Sequence, residues 1–202
     1  MLSQKTNIQN ARSNILRFFL LGLSVSVITG CVSSITKPDS SSSSLIMMSI
    51  EAVRTLGSNK PEVVTIARKS DGKEFKYTNQ DGKYYFFANL PEGVYQIKKA
   101  AILIKGGSTS SQVGNVTTST TSNIASYFPF DESIIEASTT KLSSGSVAFL
   151  GNITAEGTSK LFPPGAIEVS NVKLSKTEQD KNSIYSYFKQ EFKDSPWVSY
   201  IN

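Results

Sequence analysis

The 202-residue sequence contains no histidine and a single cysteine, Cys31. These two scarcities exclude zinc sites built from Cys and His, nucleophilic machinery of the Cys/His or Ser-His-Asp kind, and any intrachain disulfide. Carboxylates, Lys, Tyr and Ser are what remains for chemistry. No Asp-x-Asp-x-Asp loop suggests calcium, and Asp71 and Asp81 stand apart in turn-like stretches. Gly106-Gly107 opens a Ser/Thr run without the Gly-Lys-Ser/Thr end of a phosphate loop. Neither a metal nor another cofactor is expected. Charge is also sparse, at 18% of residues, and the formal +5 is misleading. Three basic residues (Lys5, Arg12, Arg17) and no acidic ones lie in the first thirty, so the rest carries a net charge near +2. That is no footprint for nucleic acid.

Long hydrophobic runs are missing as well. The apolar stretch from Phe18 to Ile28 falls short of the roughly 20 residues that a spanning helix needs. Its length suits the core of a signal peptide, and the basic, polar residues 1–17 before it suit the head of one. The run closes on Ile28-Thr29-Gly30-Cys31. This tetrad resembles the lipobox of bacterial lipoproteins. The resemblance implies cleavage between Gly30 and Cys31, S-diacylglycerol attachment at Cys31, and N-acylation of the new terminus. Two acyl chains or more would make a stable anchor, at about 0.8 kcal/mol per buried methylene. Two alternatives are a buried structural cysteine and an uncleaved anchor. The Ser-rich chain from Val32 to Ser44 disfavours both, because its composition is that of a flexible linker.

The expected organisation is therefore a signal peptide over 1–30, a Ser-rich tether over 31–44, and one folded domain over 45–202. Val32 follows the cysteine where Asp would favour inner-membrane retention. The expected location is thus the cell envelope, lipid-anchored, with the outer membrane favoured.

From Leu45 onward, short β-branched runs alternate with turn signals about every ten residues, including Ser70-Asp71-Gly72 and Asp81-Gly82. This pattern predicts a mainly β fold, an antiparallel β-sandwich. Residues 81–100, DGKYYFFANLPEGVYQIKKA, are similar to a segment of transthyretin-like, carboxypeptidase-regulatory-like sandwich domains; an immunoglobulin-like arrangement is the alternative. In this register Phe87 and Leu90 should face the core, Gly93 should supply a positive φ after Pro91-Glu92, and Tyr95 should pack back on the sheet. Residues 106–126 are rich in Ser and Thr and read as a long exposed hairpin or mobile loop, with a recognition loop as the alternative. Strands are expected over 145–157 and 166–174, the second after Pro163-Pro164-Gly165. Asn115-Val116-Thr117 and Asn152-Ile153-Thr154 match a glycosylation pattern without meaning in a bacterium.

The chain then becomes helical, over about 176–195. Ser175 to Glu178 fits a capping box, and Ile184, Tyr185, Phe188 and Phe192 share one amphipathic face. That face should dock on the sheet. Among carboxylates, Asp131, Glu132 and Glu136, and separately Glu178, Asp180, Glu191 and Asp194, show no spacing that pairs an acid with a base. The expectation is a non-enzymatic envelope or surface module, with the membrane as one partner and an envelope or host protein as another. The alternative is an enzyme or small-ligand carrier with a pocket that sequence does not reveal.

Overall fold

A computed structural model describes residues 34–55, 57–113, 116–160 and 166–201, with side chains described except at 105–123. The architecture is mainly β, with two packed sheets. The strands are β1 (Ser44–Arg54), β2 (Gly57–Asn59), β3 (Val63–Arg68), β4 (Glu74–Lys76), β5 (Asn79–Asp81), β6 (Tyr84–Leu90), β7 (Gly93–Val113), β8 (Val116–Tyr127), β9 (Thr140–Leu142), β10 (Val147–Ser159) and β11 (Ile167–Ser175). Helix α1 (Glu132–Ala137) lies between β8 and β9, helix α2 (Glu178–Glu191) follows β11, and a 3-10 turn covers Pro196–Tyr200. The first sheet has the order β11-β10-β1-β6-β5 with β2 beside β1; the second has β4-β3-β7-β8 with β9 beside β7.

Pairing is mostly antiparallel, with one exception to the expected all-antiparallel sandwich. β1 and β10 run parallel, from Leu45 opposite Val147 to Val53 opposite Glu156. The intervening chain passes through the second sheet and α1, and that long crossover returns β10 in the direction of β1.

Alternation along β1 creates two cores. Ile46, Met48, Ile50 and Ala52 meet Val64, Ile66, Tyr95, Ile97 and Ile102 of the opposing sheet, with Phe87, Leu90, Leu150 and Ile153 filling the same layer. Leu45 and Met47 point the other way, into a second cluster with Phe86, Phe149, Ile184, Phe188, Phe192, Trp197 and Ile201. Helix α2 covers this outer face. Phe86 meets Phe188 and Phe192 edge-on, with ring centroids 5.3 and 5.4 Å apart.

One local expectation changes and others gain detail. Thr177, not Ser175, caps α2, and the reciprocal partner is Asp180, whose carboxylate accepts from the Thr177 backbone N–H. Gly93 has the expected positive φ, 159°, and a Cβ there would also lie 3.0 Å from Arg68 Cδ. Tyr95 is fully buried, and its hydroxyl donates to the Pro91 carbonyl at 2.7 Å. The Ser/Thr-rich stretch extends β7 and β8 into a ladder that runs to Val113 opposite Val116.

The largest change concerns the expected tether. Ile35 is buried in the outer core, and the Trp197 indole N–H donates to the Thr36 carbonyl at 2.7 Å. The Asn89 amide clasps the same segment twice, donating to the Lys37 carbonyl and accepting from the Asp39 N–H, both at 3.0 Å. Further on, Gly145 N–H donates to the Ser42 carbonyl, and the buried Ser44 hydroxyl donates to the Ser143 carbonyl. A Ser-rich sequence suits a linker, but its hydroxyls also bond well to backbone. Here they do so beside an apolar residue that has a core to enter.

Candidate functional site

Gly30 and Cys31, the expected cleavage and lipid-attachment positions, lie outside the described residues, as do the signal segment 1–30, Asn115 and the Pro163-Pro164-Gly165 turn. The remaining candidates are the carboxylates, the tyrosines, two surface depressions and the β7–β8 hairpin.

The carboxylates do not converge. Asp131 caps α1, accepting from the Ile134 N–H at 2.8 Å and the Ser133 hydroxyl at 2.7 Å, and these bonds hold its pKa below the usual range. Glu136 pairs with Lys69 at 3.0 Å. Asp71 accepts two bonds from the Arg68 guanidinium, which brings its pKa down to about 2. Glu62 reaches across the second sheet to accept the Leu103 N–H at 2.6 Å. Each of these groups is occupied in holding chain.

The densest polar cluster lies where α2 starts, on the outer face of the first sheet. Asp180 accepts the Ser175 and Thr177 hydroxyls at 2.5 Å each and the Asn152 amide at 3.1 Å. Asn152 in turn accepts the hydroxyl of buried Ser49 at 2.6 Å. The two hydroxyl donors, with the Asn152 amide, bring the Asp180 pKa down to about 2. Such a carboxylate is a poor general base, because donors crowd its Oδ2 and its basicity is low. Its geometry is that of a latch joining β1, β10, β11 and α2. Beside it Lys83 donates to Glu51 at 2.8 Å; this bond raises the lysine pKa and, against the effect of burial, keeps that of Glu51 low.

Lys176 makes a second latch. Its ammonium donates to the carbonyls of Ala137 and Thr139 at 3.3 and 2.9 Å and to the Thr140 hydroxyl at 2.8 Å. It thus supplies the cation that α1 lacks in its own last turn. Burial lowers its pKa. Among the tyrosines, burial raises Tyr85, Tyr95, Tyr185 and Tyr187 above the ordinary phenol range, Tyr185 to about 12, so these four stay neutral near pH 7.

Two shallow depressions open to solvent. One, about 290 Å³, is lined by Glu62, Val63, Val64, Lys76 and Tyr77; the other, about 310 Å³, by Arg54, Thr55, Gly157, Thr158 and Ser159. Neither lining set contains two carboxylates. Among the described residues, no three of His, Cys, Asp and Glu gather as a metal site, and no helix is long and apolar enough to cross a membrane.

The hairpin is the most distinctive surface. β3 pairs with β7 as far as Ala101, opposite Val63. Beyond that point, among the described strands, β7 pairs only with β8. The arm from Ile102 to Val113 would measure about 40 Å if straight. Its residues 106–126 carry no charge. At its base Leu103 stands opposite Ala125, and Tyr127, 60% exposed, stands opposite Ala101 on the same face.

Composition alone could suggest a loop over 106–126, but the arm's length depends on a register that composition does not encode. The Asp180 latch had one visible signal, the Ser-x-Thr-x-x-Asp spacing of residues 175–180. The Asn89 clasp had none. The chain matches no family model, no curated protein and no solved structure.

Proposed function

We propose that this chain is a lipid-anchored protein of the bacterial envelope whose folded part is a non-enzymatic binding or structural module. The observation that carries the reading is the leader: a basic head, an apolar core too short to span, and Ile28-Thr29-Gly30-Cys31 at its border. Cys31 is the residue modified by lipid, and cleavage falls after Gly30. Val32 favours delivery to the outer membrane. The sandwich is of the transthyretin-like kind, a reading supported by the segment from Asp81 to Tyr95.

The non-enzymatic character is supported by the employment of the carboxylates described above, which are spent on caps, latches and ion pairs. The β7–β8 arm is the element that meets an envelope or host protein. Its support is the row of backbone groups that no described strand covers, which can pair with an added strand.

Detergent partition and N-terminal mass spectrometry test the reading. The full chain, expressed in bacteria, should enter the detergent phase and carry a mature terminus at Cys31 with two or more acyl chains. Cys31→Ser should leave the folded domain in the aqueous phase. Equal partition of the two proteins, with an unmodified Cys31 in an uncut chain, would overturn the proposal.

A further inference from the structure

The clasp of residues 35–44 changes how far a lipid at Cys31 could hold the domain from a membrane. A free tether over 31–44 would reach about 45 to 50 Å at full extension. Ile35 is already packed, however, so only Val32, Ser33 and Ser34 separate it from Cys31. Four Cα steps span at most about 14 Å. The leash is therefore shorter than the sandwich is long.

The strand directions tell which end is held. β1 begins at Ser44 opposite Leu90, and β7 begins at Gly93 just after, beside Leu142. Trp197, Asn89, Thr36 and Lys37 gather near this end through the bonds described above. β7 then runs to the other end, where Ala101 meets Val63 and where β1 closes against β2 at Arg54 and Gly57. The arm continues outward from there. Its tip lies on the order of 60 Å from Gly93, at about 3.3 Å per residue.

Resting on the lipid-anchor reading, we propose that the domain is docked on the bilayer by this end, with the clasp of Ile35, Asn89 and Trp197 next to the headgroups and the β7–β8 arm directed away from the membrane. The occupant of the clasp end is the lipid surface. Thr36, Lys37, Asp39 and Ser40 are exposed and polar there, so this end rests on headgroups and does not insert. The short leash supplies orientation, and the arm gains reach by standing at the far end.

Single-cysteine labelling tests this, because Cys31 is the chain's sole cysteine and its thiol is consumed by the lipid. Lys37→Cys and Lys60→Cys, both exposed, mark the near and far ends. Each full-length variant would be matured in bacteria, labelled with a fluorophore, and reconstituted in phosphatidylethanolamine/phosphatidylglycerol vesicles containing a headgroup nitroxide lipid. The label at position 37 should be quenched several-fold more than that at position 60. About twelve Gly and Ser residues inserted between Ser33 and Ser34 add an r.m.s. reach of about 20 Å and should abolish the difference. Equal quenching at the two positions in a protein whose Cys31 carries its lipid would overturn the orientation and leave the anchor standing. A free Cys31 thiol on an uncut chain, read by mass on the same sample, would overturn both.

Discussion

Asn89 and Gly145 hold backbone conformations with positive φ, 59° and 61°, at two points where the chain before β1 is fastened. Asparagine tolerates this region, and its amide at position 89 then reaches both Lys37 and Asp39. Gly145 has a second constraint, since a Cβ would lie 2.7 Å from the Ser42-adjacent carbonyl of Ser41. Gly145→Ala should therefore destabilise the domain by about 1 to 3 kcal/mol, measured by urea unfolding. Asp180 permits a sharper test through pH. Its carboxylate titrates at about 2 in the fold against an ordinary 3.8, so its contribution is complete above the unfolded value and is lost as pH falls from about 4 toward 2. Solvent screening reduces that contribution to about 1 kcal/mol. Unfolding measured over this range should show a shallower pH slope in Asp180→Asn than in the parent, with Asp71 and the other acids retaining theirs.

At the scale of elements, the arm and the sandwich should be separable. Ile102 packs in the inner core and Ile104 against it, whereas the ladder beyond Lys105 gains no third strand among the described ones. Replacing residues 106–122 with Asn-Gly would join Lys105 to Asn123 through a two-residue hairpin loop, at a point where the two residues are already paired. The melting temperature, followed by circular dichroism, should stay within about 2 °C of the parent. A large fall would show that the arm supports the fold. Strands were readable in this chain from short apolar runs between turn signals, as in residues 81–100, which hold β6 and the start of β7. Their lengths were less so: β4 stops at Lys76, and β5 starts at Asn79 in the other sheet. Between them Thr78 bonds the Phe86 carbonyl through both its N–H and its hydroxyl.

For the whole molecule, the outer core ties the two ends of the described residues together, Ile35 and Thr36 to Trp197 and Ile201. Trp197 is fully buried, and its indole holds Thr36 across 161 positions of sequence. Trp197→Ala should cost about 3 to 5 kcal/mol, as large aromatic truncations in cores do. It should also release residues 34–43, seen as new proteolytic cleavage before Ser44 under conditions in which the parent resists. Cleavage inside the β-sheets alone, without cleavage before Ser44, would show that the clasp does not depend on the tryptophan. The same contact explains why compositional reasoning misplaced the domain boundary. Ser-rich chain looks like linker until a partner 50 or 160 positions away gives its backbone something to bond.

The sequence by itself determined which chemistry this protein lacks. Without histidine and with one cysteine, it has no Cys/His zinc site, no Ser-His-Asp machinery and no intrachain disulfide. Its alternating runs then call for packed sheets, because period-two burial needs no knowledge of distant residues. The tertiary structure alone decided the parallel pairing of β1 with β10, the conversion of a tether into a clasp, and the bond that ties Asp180 to Asn152. Each of these depends on contacts between residues far apart in the chain, and local propensity carries no information about such contacts.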